Sequence, residues 1–175
     1  MKQRNTAGPR RPLLLVFGAQ ELGRDPRAMA RIDLRLQTEL LRLRRLDGVV
    51  ITAGSPGPEV AAEVIAEALG VSSVAYLPDG SRRLDTWPRG RWTDRTLSAG
   101  GAAVARRDAA LMERAVEVRD GGGAVEVLAF LVAGASSRSS SLTRTRLARE
   151  AGIPVREWTW STASVLVAAS QEAAE

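Results

Sequence analysis

The sequence contains no cysteine and no histidine. The missing cysteine excludes disulfides and thiol catalysis, and the missing histidine excludes imidazole acid–base chemistry. Because these two residue types are the usual ligands of zinc and of most transition metals, we expect no metal site. Any chemistry must therefore come from carboxylates, hydroxyls, arginine side chains and backbone groups.

Long apolar runs are also missing. No run approaches the ~18 residues that a membrane span requires, and the first one, LLLVF at residues 13–17, is short. No small-residue cleavage site closes a longer apolar region after it, so the beginning of the chain does not read as a signal peptide. We expect no membrane association and a cytoplasmic location.

Basic residues outnumber acidic ones, 25 to 20, which gives a net charge of +5. This excess favours an anionic partner such as a nucleotide or nucleic acid. Part of the excess is local, because Lys2, Arg4, Arg10 and Arg11 precede the first apolar run without any acid among them. We interpret residues 1–12 as a basic flexible tail, 13–170 as a single domain and 171–175 as a C-terminal tail.

Short apolar runs alternate with stretches of helical periodicity along the domain. The runs predict strands at residues 13–17, 49–52, 71–78, 125–130 and 154–160. The periodic stretches predict helices at residues 28–46, 59–69, 102–118 and 141–151. Residues 79–101 read as one irregular loop, and residues 161–170 fit either a strand or a short helix. Alternation of this kind predicts an α/β, Rossmann-like doubly wound fold, a mainly parallel sheet with helices on both faces.

In such a sheet, ligands bind beyond the carboxyl ends of the strands, so the loops there hold the candidate site residues. The loop after the first strand offers a glycine and a glutamine, and AGSPGPE after the second lies at a helix start whose dipole favours an anion. The serine-rich stretch after residues 125–130 offers hydroxyls and an arginine for phosphate. The predicted ligand-binding residues are Gly18, Gln20, Gly54, Ser55, Gly57, Glu59, Arg106, Asp108, Arg138, Ser139 and Ser140.

Each loop has a plainer interpretation. Strand-to-helix connections favour glycine, proline and serine without any ligand, and the serine run fits a flexible linker. The long loop interleaves arginines with tryptophans, and Arg89, Arg91 and Trp92 offer stacking and charge for a nucleic acid. Equally, the tryptophans fit a cap on the core while the arginines stay in water.

Taken in order, these segments resemble the SLOG superfamily, the Rossmann-like group that includes DprA/Smf and the LOG nucleosidases, and most of all its YspA-like branch. GAQ follows the first strand, and TAGSPGPE replaces that branch's HGGAxGAD. GGAAVARRDAALM replaces AGPxRNxxM, and AFLVAGASSRSSSLTRTRLAREAGIPV replaces AFPGGxGTxxxVxxAxxxGIPV. The resemblance covers residues 13–158 and implies a nucleotide-type ligand at the sheet edge.

Departures from these motifs bear on activity. LOG nucleosidases carry PGGxGTxxE, whose glutamate the family implicates in cleavage, and Arg144 stands at that position here. The resemblance therefore implies binding rather than LOG-type cleavage. Glu59 stands where the YspA-like pattern has Asp, and Asp108 where it has Asn. DprA-like proteins bind single-stranded DNA, and their SGSL segment is similar to SSSL at residues 139–142.

Three functions stay open on these observations. The first is binding or sensing of a nucleotide or nucleotide derivative, with no cofactor indicated beyond that ligand. The second is binding of single-stranded nucleic acid. The third is hydrolysis of a nucleotide or nucleoside with Glu59 and Asp108 as the candidate catalytic residues. The leucine-rich, arginine-studded first helix also offers an interface for a homo-oligomer.

Overall fold

The computed structural model describes residues 11–78, 82–84, 100–135 and 139–161. Strands and helices alternate along this part of the chain. The strands are β1 (Leu13–Gly18), β2 (Val49–Thr52), β3 (Ser72–Tyr76), β4 (Arg82–Leu84), β5 (Val125–Val132) and β6 (Val155–Trp160). The helices are α1 (Pro26–Arg45), α2 (Pro58–Leu69), α3 (Gly101–Asp120) and α4 (Ser140–Glu150), with a short 3-10 helix at Gln20–Arg24.

The strands form one sheet in the order β4-β3-β2-β1-β5-β6. All neighbouring strands pair in parallel except β4, which pairs antiparallel with β3. The chain moves outward from β1 through β2 and β3, then returns to place β5 on the other side of β1. This reversal is the switch point at which doubly wound sheets bind ligands. The arrangement confirms the predicted Rossmann-like fold.

β1 is buried along its whole length because helices cover both faces of the sheet. Leu14 and Val16 face the layer formed by α1 and α2. Leu15 and Phe17 face the layer formed by α3 and α4. A continuous apolar run was predicted to be buried on both faces, and the two core layers confirm that prediction.

The first helix confirms its predicted apolar face, since Ile32, Leu36 and Leu40 are fully buried. It begins at Pro26 because Asp25 caps it, with one carboxylate oxygen accepting hydrogen bonds from the amides of Arg27 and Ala28. No helix in the described part of the chain has both the length and the apolar character needed to cross a membrane.

The predicted irregular loop at residues 79–101 needs a correction, because β4 lies inside it. Three residues are too few to show a strand period in the sequence, and pairing with β3 creates the strand. The rest of that loop and the ambiguous residues 162–170 lie outside the described residues. At the start of the chain, the Arg11 guanidinium bonds Asp47 at 2.9 Å and Ser72 at 3.1 Å, which ties the end of the predicted tail to the domain.

Candidate functional site

The carboxyl ends of β1, β2 and β5, here called the carboxyl edge, meet the first turns of α2, α3 and α4. Glu59, in the first turn of α2, lies at the centre of this edge and is fully buried. Its Oε1 accepts the amide of Gly18 at 3.3 Å. Its Oε2 accepts the amides of Ala53 at 2.9 Å and Ser55 at 3.2 Å. One carboxylate therefore joins the end of β1 to the loop after β2.

Arg144 neutralises this carboxylate from α4. Its Nη2 donates to Glu59 Oε1 at 2.7 Å and its Nη1 to Oε2 at 3.4 Å, and both side chains are 0% exposed. The Arg144 Nε also donates to the carbonyl of Ser140 at 3.2 Å, and the guanidinium lies 5.1 Å from the centre of the Phe17 ring. Buried charges need a partner and satisfied hydrogen bonds, and this pair has both.

A second buried pair lies beside the first, on α3. The guanidinium of Arg107 bonds Asp108 Oδ1 through Nη2 at 2.8 Å and Nε at 2.9 Å. Its Nη1 donates to the carbonyl of Ala53 at 3.1 Å, so α3 is joined to the loop after β2. Arg107 is 6% exposed and Asp108 is 4% exposed. The two pairs leave no uncompensated buried charge between them.

The amides that were predicted to bind phosphate are used inside the protein. Gly18 and Ser55 donate to Glu59, and Gly54 donates to the Thr52 hydroxyl at 3.2 Å, which itself donates to Glu63 at 2.6 Å. The structure differs from the prediction at these positions because the anion in the cradle is the protein's own carboxylate.

The glycines at this edge let loops approach each other. A Cβ on Gly18 would lie 2.5 Å from the Cβ of Pro58. A Cβ on Gly57 would lie 3.2 Å from the amide nitrogen of Gly23, and its φ of 86° lies in the region that favours glycine. Gly57 and Pro58 of AGSPGPE are therefore explained by packing against the 3-10 helix and β1.

The carboxylates that were named as catalytic candidates are both engaged. Glu59 already accepts donors at both oxygens, about as many as a carboxylate can take. Asp108 is held by its neighbour Arg107. A general acid or base must come within hydrogen-bond reach of its substrate, and both residues are buried. Within the described residues, no group of three carboxylates is placed to hold a metal ion.

The remaining predicted residues form the rim of the edge. Gln20 and Arg106 are exposed, and Ser55, Gly57, Ser139 and Ser140 are partly exposed. Arg138, Arg89, Arg91 and Trp92 lie outside the described residues. The structure thus divides the predicted set into a buried framework around Glu59 and an accessible rim.

The helix N-termini at the carboxyl edge are open to different degrees. The N-cap residues of α3 and α4, Gly100 and Ser139, make no side-chain capping hydrogen bond. The Ser139 hydroxyl instead lies 2.9 Å from the hydroxyl of Ser141. The first amides of an uncapped helix have no partner within the helix, and the helix dipole adds positive potential to them. The buried charges of the two ion pairs cancel, so they do not offset this potential.

Arg144 and Arg107, which form the buried ion pairs of the site, were not among the predicted binding residues. The helical periodicity of the sequence nevertheless indicates that both lie on a buried helix face. In α4 the buried positions Ser141, Arg144, Thr145 and Ala148 follow the i, i+3, i+4, i+7 pattern. In α3, Arg107 lies four residues before the buried Leu111, whereas Arg106 lies on the exposed side. When helical periodicity places an arginine on the buried face, a buried carboxylate is expected nearby, because a buried charge needs a partner.

Comparisons with known proteins confirm the fold. Neither protein-family models nor curated proteins give a match to the sequence. Among solved structures, the chain is similar to DNA processing protein A (DprA) from Streptococcus pneumoniae, with 15% identity and a TM-score of 0.52. The match covers 93% of this chain and 56% of the DprA chain, so this chain spans about half the length of that protein. DprA belongs to the SLOG, Rossmann-like group that the loop motifs resemble.

Proposed function

We propose that the carboxyl edge binds a nucleotide or nucleotide derivative and does not cleave it. The observation that carries the proposal is the uncapped N-terminus of α4, which opens beside the switch point between β1 and β5. Helix N-termini at this place in doubly wound sheets are anion sites, because amides and dipole act together.

The rim supplies the contacts for such a ligand. Ser139 and Ser140 offer hydroxyls and amides to a phosphate, and the exposed Gln20 begins the 3-10 helix that follows β1. Arg106, exposed in the first two turns of α3, adds a cation. Ser55 and Gly57 border the same opening from the loop after β2.

The buried framework prepares this rim for binding. Glu59 and Arg144 join the end of β1, the loop after β2 and the first turn of α4, so the rim is held in place before a ligand arrives. Fixing groups in advance reduces the entropy lost on binding. A carboxylate used in this way is not free for acid–base chemistry. A YspA-like, non-hydrolytic SLOG domain fits these features.

Binding is tested with the full-length protein in a thermal-shift panel of the four ribonucleoside monophosphates and inorganic phosphate. A ligand that binds the native state stabilises it and so raises the melting temperature. At a ligand concentration of a hundred times the dissociation constant, the free energy of unfolding increases by about 2.7 kcal/mol. We expect at least one nucleotide to stabilise the protein more than inorganic phosphate does. A panel in which every compound leaves the melting temperature unchanged contradicts the proposal.

Two variants of α3 form a matched pair for the same assay. Arg106→Gln removes an exposed cation near the carboxyl edge, and Arg114→Gln removes an exposed cation two turns further along the helix. We expect Arg106→Gln to weaken binding about fivefold or more, as loss of a charge-assisted hydrogen bond does, and Arg114→Gln to leave it unchanged. Equal effects would place the ligand elsewhere. Release of free base or phosphate from the bound nucleotide would contradict the proposal that the site does not cleave its ligand.

A second candidate function is binding of single-stranded nucleic acid. It is favoured by the fold likeness to a DNA processing protein and by the net charge of +5. Phosphate contacts release counterions, so this function predicts affinity that falls steeply with salt. A flat salt response of oligonucleotide binding contradicts it.

A further inference from the structure

A groove of about 760 Å³ lies between α1 and β6, on the face of the sheet opposite α3 and α4. It is called the α1–β6 groove below. Its main lining residues are Arg31, Leu34, Arg35, Phe130, Trp158 and Trp160. Both tryptophans are partly exposed, and Leu34 is 67% exposed at the rim. Large aromatic side chains at an open groove are unusual on a face that has no function.

The aromatic rings of the groove form a surface in which Trp158 contacts both Phe130 and the Arg35 guanidinium. Phe130 stacks on Trp158 with a centroid distance of 5.4 Å and an interplanar angle of 20°. Trp160 extends the surface at 6.2 Å from Phe130. The Arg35 guanidinium lies 4.8 Å from the centre of the Trp158 ring. Indole beside guanidinium is the combination that stacks nucleobases and neutralises their phosphates.

The charge of the groove wall points to an anion. Arg27, Arg31 and Arg35 are exposed and follow one another at four-residue spacing on α1. Within the described residues none of the three has a carboxylate partner, although like charges at this spacing are mildly destabilising. Further along the same helix, Arg42 does have such partners in Glu39 and Glu126. Arg31 and Arg35 of this stripe line the groove, and Arg27 lies one turn before them.

The acids nearest the groove do not cancel this charge. Glu39 and Glu126 both bind Arg156, on β6, at 2.5 Å, and both also bind Arg42. Two carboxylates and two guanidiniums form a neutral network there. Glu39 and Glu126 therefore do not offset the charge of Arg31 and Arg35, which line the groove.

We propose that the α1–β6 groove binds single-stranded nucleic acid, with a base stacked on Trp160 and phosphates paired with Arg31 and Arg35. Residues four positions apart on a helix are separated by about 6 Å along its axis. A stripe of three arginines at that spacing matches a chain of phosphates better than the single phosphate group of a free nucleotide.

This inference rests on the second candidate function and gives it a site, which is distinct from the nucleotide site at the carboxyl edge because the groove shares none of the rim residues. It also uses residues other than the arginines and tryptophan that the sequence suggested for nucleic acid. The two sites can therefore be tested separately.

The test measures fluorescence anisotropy of a labelled twenty-nucleotide oligothymidylate with the full-length protein at several salt concentrations. Arg31→Gln/Arg35→Gln removes two exposed charges from the groove wall. The control, Arg44→Gln/Arg45→Gln, removes the same charge from exposed positions of α1 that do not line the groove. We expect the groove variant to bind about tenfold more weakly and its log–log salt slope to fall by about 1.4, as for two lost phosphate contacts to a single strand. The control should change affinity less than twofold.

A second pair of variants tests stacking. Trp160→Leu should weaken binding about fivefold or more, and Trp160→Phe should retain most of the affinity because every base stacks on either ring. Arg106→Gln, at the carboxyl edge, should leave oligothymidylate binding unchanged, which keeps the outcome separate from that of the nucleotide site.

Several results would overturn the inference. One is absence of binding at low salt, and another is equal loss of affinity in the groove and control variants. Self-association that the groove variant abolishes, with no oligothymidylate binding, would make the groove an interface between two copies of the chain. Binding that requires removal of residues 162–175 would show that the groove is closed in the full-length protein.

Discussion

Replacing Arg144 with methionine would remove the cation that contacts the buried carboxylate of Glu59. Both side chains are 0% exposed, so water cannot take the place of the lost partner. Removing one member of a buried ion pair costs about 3–5 kcal/mol, because the other charge stays buried and unpaired. For a chain of this length, each kcal/mol lowers the melting temperature by about 2–4 °C. Arg144→Met should therefore melt on the order of 6–20 °C below the wild type.

The assay is thermal and urea unfolding followed by circular dichroism, with Arg114→Met as the control. Arg114 pairs with Glu117 at 3.1 Å, but the two side chains are 49% and 57% exposed, and solvent screens such pairs. The control should therefore change the free energy of unfolding by less than about 1 kcal/mol.

The double variant Glu59→Gln/Arg144→Met should lose less free energy of unfolding than the sum of the losses in the two single variants, because it leaves no unpaired charge. The reasoning fails if Arg144→Met unfolds no more easily than Arg114→Met. It also fails if the two substitutions are additive.

Three further predictions follow from the same contacts. Gly57→Ala should lower the free energy of unfolding in urea by about 1–3 kcal/mol, because the φ of Gly57 is 86° and the new Cβ would contact the adjacent loop. The control Gly101→Ala has open space around the new Cβ in a helix, and it should raise the free energy of unfolding by about 0.5–1 kcal/mol. Arg107→Met should cost about 3 kcal/mol, whereas Arg106→Met should stay within about 0.5 kcal/mol; similar values would contradict the assigned burial. The hydrogen bond from the β6 arginine lowers the pKa of the Glu39 carboxyl below its ordinary 4.5. The stabilising effect of the ionised Glu39 carboxylate is therefore complete above pH 4.5, and it is lost as the pH falls through the lower pKa of the folded protein. In unfolding measured at different pH values, the stability of Glu39→Gln should differ most from that of the wild type above pH 4.5. The two proteins should become equally stable in acid.

The fold could be predicted from the sequence because its strongest signals are local. LLLVF is typical of a short buried strand, and the spacing of Ile32, Leu36 and Leu40 is typical of one helix face. The alternation of such elements fixes a parallel sheet, since parallel strands need crossovers. β4 was missed because its strand character comes from pairing with β3 and not from its own three residues.

The sequence predicts a ligand site at the carboxyl edge, but it does not predict the ion pairs found there. Loop composition favours an anion at this edge, but it could not show that the Gly18 and Ser55 amides bind Glu59. The partner of Glu59 lies 85 residues away in the chain, on another helix, and no local pattern joins the two. Residue type also does not separate Arg106 from Arg107, whereas the helical period of α3 does.

The most direct measurement of the central claim is native mass spectrometry of the full-length protein with the nucleotide that stabilises it most. The proposed binding site predicts one intact nucleotide per chain, with a smaller bound fraction in Arg106→Gln and an unchanged one in Arg114→Gln. An adduct that both variants retain equally would contradict the assigned site. Absence of any adduct would contradict nucleotide binding at the carboxyl edge. A spectrum showing free base or released phosphate would contradict its non-hydrolytic character.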